Sequence, residues 1–192
     1  MYIKHHTKGI IISGKAEGSD SRRVEILTEN FGLLSARVQG SRNINSKLRS
    51  GSQDFAFGEF SLVHGKSGWR VVSVRSDKNL FEVFRNDSLK LKIAGNILNL
   101  IKKLVAEDES QSSLFSIVSN FLYFLEKAEK KNINLAECLT LMRILYSLGY
   151  MVNDPELSIP VSSSEIQEEH LEKIAPRRLE IVKLINESLK AT

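Results

Sequence analysis

Basic side chains without neighbouring acids make the segment from Arg37 to Gln53 a candidate polyanion-binding region. Its basic residues are Arg37, Arg42, Lys47 and Arg49, most of the others are small and polar, and none is acidic. Such side chains neutralise phosphate, since Lys and Arg displace condensed counterions when they contact a nucleic-acid backbone. An ordinary solvated loop is the alternative interpretation.

Further basic and aromatic side chains in the first half of the chain extend this hypothesis. Trp69, beside Arg70, and Phe31, beside the basic loop, are candidate rings on which unpaired bases could stack. Arg70 and Arg75 are separated by an odd number of residues, so on a regular strand only one of them would lie on the binding face. The additional candidate phosphate contacts are Arg22, Arg23, Arg70 and Arg75.

Residues for covalent chemistry are not arranged in a recognisable pattern. The sequence contains no nucleophile elbow, phosphate-binding glycine loop, HExxH or EF-hand spacing. A structural zinc site needs four ligands, whereas the chain has one cysteine, Cys138, and four dispersed histidines. Glu168 and Glu169 lie on the expected solvent face of a helix. The sequence therefore predicts a protein that is not an enzyme and binds no metal or other cofactor.

Charge and composition favour a folded protein that meets a polyanion through its first half. Residues 1–79 contain 13 Lys and Arg against 7 Asp and Glu, a net charge of +6, whereas residues 80–192 have a net charge of −2. With 42% hydrophobic and 26% charged residues, the chain has the composition of a globular protein. No apolar run is long enough for a membrane span or a signal peptide, so a cytoplasmic location without membrane contact is expected.

The first half has the hydrophobic periodicity of strands. Leu34, Ala36 and Val38 alternate with residues of the opposite face, and Gly40 ends that run. GKSG, residues 65–68, is a candidate hairpin turn. Five short strands indicate a small closed barrel of the OB type, with an SH3-like barrel as the alternative. The predicted strands are residues 8–13, 21–28, 32–39, 55–64 and 68–76.

The second half has the 3.6-residue periodicity of helices. One apolar stripe follows Ser88, and a second runs through residues 112–131. Asn134 with Glu137 and Ser162 with Glu165 fit helix N-caps, Gly149 fits a helix C-terminus, and Pro176 suits the first turn of the last helix. The predicted fold class is therefore α+β, with an OB-like nucleic-acid-binding domain at residues 1–79 and an all-helical domain at residues 80–192.

The segment from Gly18 to Phe55 resembles the start of the RecO family of recombination mediators and DNA repair proteins. That family shows a strand ending in Leu-Thr, a Gly turn, a strand running into Lys-Gly-x-Arg, then Ser-x-Leu and Phe. A further similarity is LMRILYSLGYMVNDPEL, residues 141–157, although the Cys cluster that often follows is absent, and Gln39 replaces the usual Lys. The matching residues are Asp20, Leu27, Thr28, Gly32, Gly40, Arg42, Ser46, Leu48 and Phe55.

The resemblance implies non-specific binding of single-stranded and possibly double-stranded DNA, strand annealing and help in loading recombinase. It also implies two protein partners, a RecR-like protein and single-strand-binding protein. Binding the acidic tail of single-strand-binding protein would need a cation beside an apolar groove. The candidates for this cation are Lys102, Lys103 and Arg143. Two alternatives remain: a protein-interaction adaptor with a degenerate OB-fold, and an RNA-binding OB module.

Overall fold

The computed structural model describes residues 3–41, 46–106, 112–151 and 161–190. The first part of the chain forms strands and one short helix, α1 (Lys47–Gly51), which lies between the third and fourth strands. All of the predicted strands are present, and the first is longer at both ends than the sequence indicates. They are β1 (Lys4–Glu17), β2 (Ser21–Thr28), β3 (Gly32–Gln39), β4 (Ala56–Gly65) and β5 (Gly68–Asn79).

The five strands close into a barrel in the order β1-β2-β3-β5-β4. Closure depends on β1, which pairs antiparallel with both β2 and β4, and on a short parallel pairing between β3 and β5. A five-stranded closed barrel followed by helices is the predicted fold class, which is thereby confirmed.

Alternation along the strands separates the interior of the barrel from its outer surface. Leu34, Ala36 and Val38 are fully buried inside the barrel, as their spacing predicts. Gly40 has a φ of +71°, which a residue with a side chain adopts at a cost, and β3 ends immediately before it. On β5, the neighbour of β3 in the barrel, Val71 and Val74 pack into the same interior.

A bulge in β5 changes the orientation predicted for its two arginines. Ser61 pairs with Ser73 and Leu62 with Val71, so one extra residue, Val72, lies between them on β5. The extra residue resets the alternation, and both Arg70 and Arg75 are exposed. The assumption of a regular strand is therefore wrong and both arginines face outward, while the prediction that only one of them lies on the binding face stays a prediction.

The remaining described elements are helical. Predicted helices at residues 88–106 and 112–131 correspond to α3 and α4, and Pro176 lies in a 3-10 turn, Ala175–Arg177, that leads into the last helix. No described helix is long and apolar enough to cross a membrane. The helices are α2 (Leu80–Phe84), α3 (Ser88–Leu104), α4 (Ser112–Lys127), α5 (Lys130–Ser147), α6 (Glu168–Ile174) and α7 (Arg178–Lys190).

Two of the predicted helix caps are wrong. The N-cap of α5 is Glu129, so Asn134 lies inside this helix, and the N-cap of α6 is Gln167 rather than Ser162. Helix α5 starts earlier than predicted because Ile133 is almost completely buried. The packing of this side chain stabilises helical residues before Asn134, where the predicted cap lies. The predicted end is correct, since Gly149 has a φ of +77° immediately after the C-cap.

The helices pack against an apolar row on the outside of the barrel. Ile10 pairs with Leu27 and Phe57, and Leu27 pairs with Leu33, so these residues lie side by side across four strands. All four side chains are at most 4% exposed and belong to the same hydrophobic core as the helices. This contact covers one part of the outer barrel surface and determines which part remains open.

Candidate nucleic-acid interface

The outer surface of β2 and β3 changes from apolar to cationic along the strands. On β2 the outward residues after Leu27 are Glu25 and Arg23, and on β3 those after Leu33 are Ser35 and Arg37. Steps of two residues keep all of these side chains on the same face. The apolar end is covered by the helices, and the end with the arginines is left uncovered by them.

Four basic residues form a line across the uncovered surface, here called the cationic row. Lys15 pairs with Arg23, Arg23 with Arg37, and Arg37 with Arg70, so the row crosses β1, β2, β3 and β5. Directly opposed residues in neighbouring strands lie about 5 Å apart, and like charges at that separation are destabilising. The row is therefore suited to binding an external polyanion that offsets the repulsion.

One internal carboxylate already neutralises part of the row. Glu17 Oε1 accepts hydrogen bonds from Nε and Nη2 of Arg23 at 3.0 and 2.8 Å, and its Oε2 lies 3.5 Å from Arg37 Nε. Arg37 also donates to Ser21 Oγ at 3.1 Å. Lys15 and Arg70 are exposed. The row thus combines engaged arginines with solvent-facing cations.

A groove of about 360 Å³ separates the cationic row from helix α3. Lys102 of α3 reaches across it, with its Nζ 2.8 Å from Glu25 Oε2 and 3.1 Å from Ser13 Oγ. Burial raises the pKa of Glu25, but the hydrogen bonds from Lys102 and Ser13 outweigh burial and leave that pKa below its ordinary value. Lys102 therefore contacts the barrel across a groove lined mainly by polar and charged residues, and its role in binding a partner stays a prediction.

Two other predicted phosphate contacts, Arg22 and Arg75, lie apart from the row. Arg22 of β2 forms an ion pair with Asp54 in the segment before β4. It also donates hydrogen bonds to the carbonyl oxygens of Ser52 and Gly14 at 2.9 and 3.1 Å. Arg75 pairs with Glu59 at 2.7 Å on the β4 side of the barrel. Arg22 consequently has a structural role, and Arg75 lies outside the row.

The described part of the basic loop contains Arg49. Arg49 is exposed in the last turn of α1, which begins with Ser46 as its N-cap. Arg42 and the side chain of Lys47 lie outside the described residues.

Arg143 is buried rather than exposed at a groove. Its side chain donates to the carbonyl oxygens of Ser164 and Glu165 at 3.2 and 2.9 Å, and its Nη2 lies 3.3 Å from His170 Nδ1. Burial lowers the pKa of Arg143 to about 10. The prediction of Arg143 as a surface cation for a partner is wrong, because the guanidinium satisfies backbone oxygens inside the helical region. Lys103, the third candidate for this role, is exposed on α3.

Trp69 and Phe31 meet in a group of rings at one end of the barrel. The Trp69 ring centroid lies 5.2 Å from that of Phe31, 5.6 Å from His5 and 4.8 Å from His64. Trp69 and Phe31 are both half-buried and pack partly against the barrel core. The two histidines come from β1 and β4, so their spacing in the sequence does not predict that they lie beside Trp69.

Metal and thiol chemistry have little support in the part of the chain that is described. No group of three His, Cys, Asp or Glu side chains there is placed to hold a metal ion. Cys138 is buried, and burial raises the pKa of its thiol to about 11, so it is a poor nucleophile at neutral pH.

Comparison with known protein families finds two matches along the chain. Residues 1–75 match the family described as recombination protein O N terminal, and residues 85–154 match recombination protein O C terminal. Together the two segments include the barrel up to Arg75 in β5, the cationic row and helices α3 to α5.

Individual relatives agree with these matches. The DNA repair protein RecO of Acetivibrio thermocellus is 29% identical over 149 residues, covering 78% of this chain and 58% of the relative. That of Alkaliphilus metalliredigens is 28% identical over 67% of this chain, and that of Synechocystis 30% over 66%. These matches cover 58%, 51% and 46% of the respective relatives, so the chain spans about half of their length.

Proposed function

Because the chain belongs to the RecO family of DNA repair proteins, we propose that it is a recombination mediator that binds single-stranded DNA without sequence preference. In this role it promotes the annealing of complementary strands and helps to load recombinase. The proposed partners are a RecR-like protein and single-strand-binding protein, and the proposed location is the cytoplasm. No step of this function requires the protein to make or break a covalent bond.

The cationic row is the observation that carries this proposal. Its four residues are register partners on adjacent strands, so the positive charge follows a continuous line around the barrel. A line of that kind matches the repeating phosphates of a nucleic-acid strand. Because phosphates are the same in every sequence, contacts to them position a strand without reading its bases.

Annealing follows from the same electrostatics. Two complementary strands repel each other through their phosphates, and this repulsion must be screened before the strands can pair. A cationic surface that holds one strand lowers the repulsion felt by the second. Arg42, Lys47 and Arg49 of the basic loop are proposed as additional contacts, since the loop begins where β3 leaves the row.

The test is a salt series of binding to single-stranded DNA, with single-stranded RNA and duplex DNA as comparisons. For a single strand, log K falls against log salt concentration with a slope of about −0.7 per phosphate contact. Replacing Arg37 and Arg70 together by Ala should therefore flatten the slope by about 1.4 and weaken binding equally for different sequences.

Arg75→Ala is the matched control, since Arg75 is exposed on the same strand as Arg70 but outside the row. We expect this variant to keep the slope of the unaltered protein. A folded Arg37→Ala/Arg70→Ala protein with an unchanged slope would show that DNA does not follow the cationic row. Tighter binding to RNA than to DNA would favour the alternative of an RNA-binding module.

A further inference from the structure

A depression of about 220 Å³ lies at the end of the cationic row, beside the turn between β4 and β5. Arg37 and Arg70 line it together with Lys66 of the turn, so three cations surround it. Trp69 and Gln39 line it as well. The depression therefore combines phosphate-binding groups with one indole and one amide.

Gln39 distinguishes this depression from a site for phosphate alone. It lies two residues after Arg37 on β3, hence on the same outer face, and its side chain is exposed. An amide carries no charge to attract phosphate, but it can donate and accept hydrogen bonds with the edge of a nucleobase.

Trp69 supplies the second group that suits a base. The rings of Phe31, His5 and His64 lie within 5.6 Å of its centroid at interplanar angles of 50° to 73°, and the indole also packs partly against the barrel core. These contacts hold the indole in position before a ligand arrives, which reduces the entropy lost on binding. Stacking on a tryptophan tolerates any base, because every base has a π face.

We propose that this depression binds one unpaired nucleobase of the strand that follows the cationic row. Trp69 provides the stacking surface, Gln39 bonds to the base edge, and Arg37, Lys66 and Arg70 hold the flanking phosphates. The proposal rests on the function proposed above and adds a base-dependent contribution to a phosphate-dependent one. It implies a preference for single strands over duplex, in which the bases are already stacked and paired.

The experiment compares an oligothymidylate with an abasic strand of the same length and phosphate number. We expect the oligothymidylate to bind about tenfold more tightly, within the range for one stacked base, and to quench the fluorescence of Trp69. Trp69 is the only tryptophan of the chain, so the emission reports on this position alone.

Two substitutions separate the base contribution from the phosphate contribution. Trp69→Leu should remove the advantage of oligothymidylate and leave both the binding of the abasic strand and the salt slope unchanged. Gln39→Lys should steepen the salt slope by about 0.7 for both ligands and reduce the ratio between them. The comparison of the two strands on the unaltered protein stands even if Trp69→Leu does not fold.

Equal affinity of the unaltered protein for both strands, without quenching, would overturn the base site and leave the cationic row as the DNA contact. Absence of binding to either strand would overturn the proposed function together with the base site. Loss of abasic-strand binding in a folded Trp69→Leu protein would also overturn the proposal, because the indole would then act through the phosphate contacts.

Discussion

At the scale of single residues, Glu17 is the side chain that most affects how the cationic row can work. Its carboxylate accepts hydrogen bonds from Arg23 and lies close to the guanidinium of Arg37. The Oε2 atom of this carboxylate is buried, and it accepts no hydrogen bond from a described residue. A phosphate that approaches these arginines must compete with this carboxylate. Glu17 holds the two arginines in place, and we expect it to lower the proposed affinity for nucleic acid.

Substitution of Glu17 by Gln should strengthen DNA binding. Removing one negative charge at about 5 Å from a bound phosphate is worth about 1 kcal/mol in water, which corresponds to roughly fivefold in affinity. Glu59→Gln is the matched control, because Glu59 pairs with Arg75 outside the row and its loss changes the net charge equally. Fluorescence anisotropy at low salt measures both, and equal gains for the two variants would show that only the net charge matters.

The residues of the site divide into those that the sequence predicts and those that it does not. Arg23, Arg37 and Arg70 were candidates by charge alone, and the alternation of β3 places Arg37 on the outer face. Lys15 was missed because its partner on β2 depends on a bulge between Ile11 and Ser13. Register shifts of this kind have no reliable signature in one sequence, so the row itself becomes visible only in the structure.

At the scale of elements, strands and long helices were predictable, and several of the helix starts were not. Period-2 alternation specifies β2 and β3 to the residue, since one face of β3 is buried throughout and one face of β2 is buried from Val24 to Thr28. Helix starts failed at Asn134 and Ser162, where a polar pattern fits a cap but burial of apolar neighbours decides the boundary. The burial of Arg143 was hidden for a similar reason, since its hydrogen-bond partners Ser164 and Glu165 are distant in sequence.

The junction between α1 and β4 contains an unusual backbone conformation. Phe55 has a φ of +66°, a region that bulky side chains rarely adopt. Its N–H donates to the Ile11 carbonyl at 2.8 Å, and its carbonyl accepts from Leu80 N at 3.0 Å, so it joins β1 to the start of α2. Its side chain packs against the helical core, which explains why a large apolar residue is kept in a strained position.

Replacing Phe55 by Gly should destabilise the protein less than replacing it by Ala. Both variants lose the packing of the ring, but only Ala retains the cost of a positive φ, so we expect the Gly variant to be more stable by about 0.5 to 1 kcal/mol. Urea denaturation measures the difference. At Phe81, which is exposed in α2, the order should be the opposite, because Gly is the poorer residue in a helix. The same order at both positions would contradict strain at Phe55.

At the scale of the whole molecule, the outer apolar row of the barrel and the helices share one hydrophobic core, which is separate from the core inside the barrel. Ile10, Leu27, Leu33 and Phe57 lie on the outside of the barrel and pack with residues of α3, α4 and α5. Strand β5 ends at Asn79 and α2 begins at Leu80, so no linker separates the two parts. This core also leaves the cationic row on the side of the barrel that the helices do not cover. The division into domains at residues 1–79 and 80–192 stays a prediction. It can be tested by asking whether the barrel folds without the helices that share its outer apolar row.

A fragment of residues 1–79 should associate or aggregate, because the apolar row would be exposed to water. Changing Leu27, Leu33 and Phe57 to Ser should make that fragment monomeric in sedimentation velocity. In the full chain the same three substitutions should be strongly destabilising, since each removes a core side chain at a cost of about 2 to 5 kcal/mol. An unmodified fragment that is monomeric and cooperatively folded would mean that the barrel is an independent domain, and the packing of the helices would then serve mainly to orient them beside the cationic row.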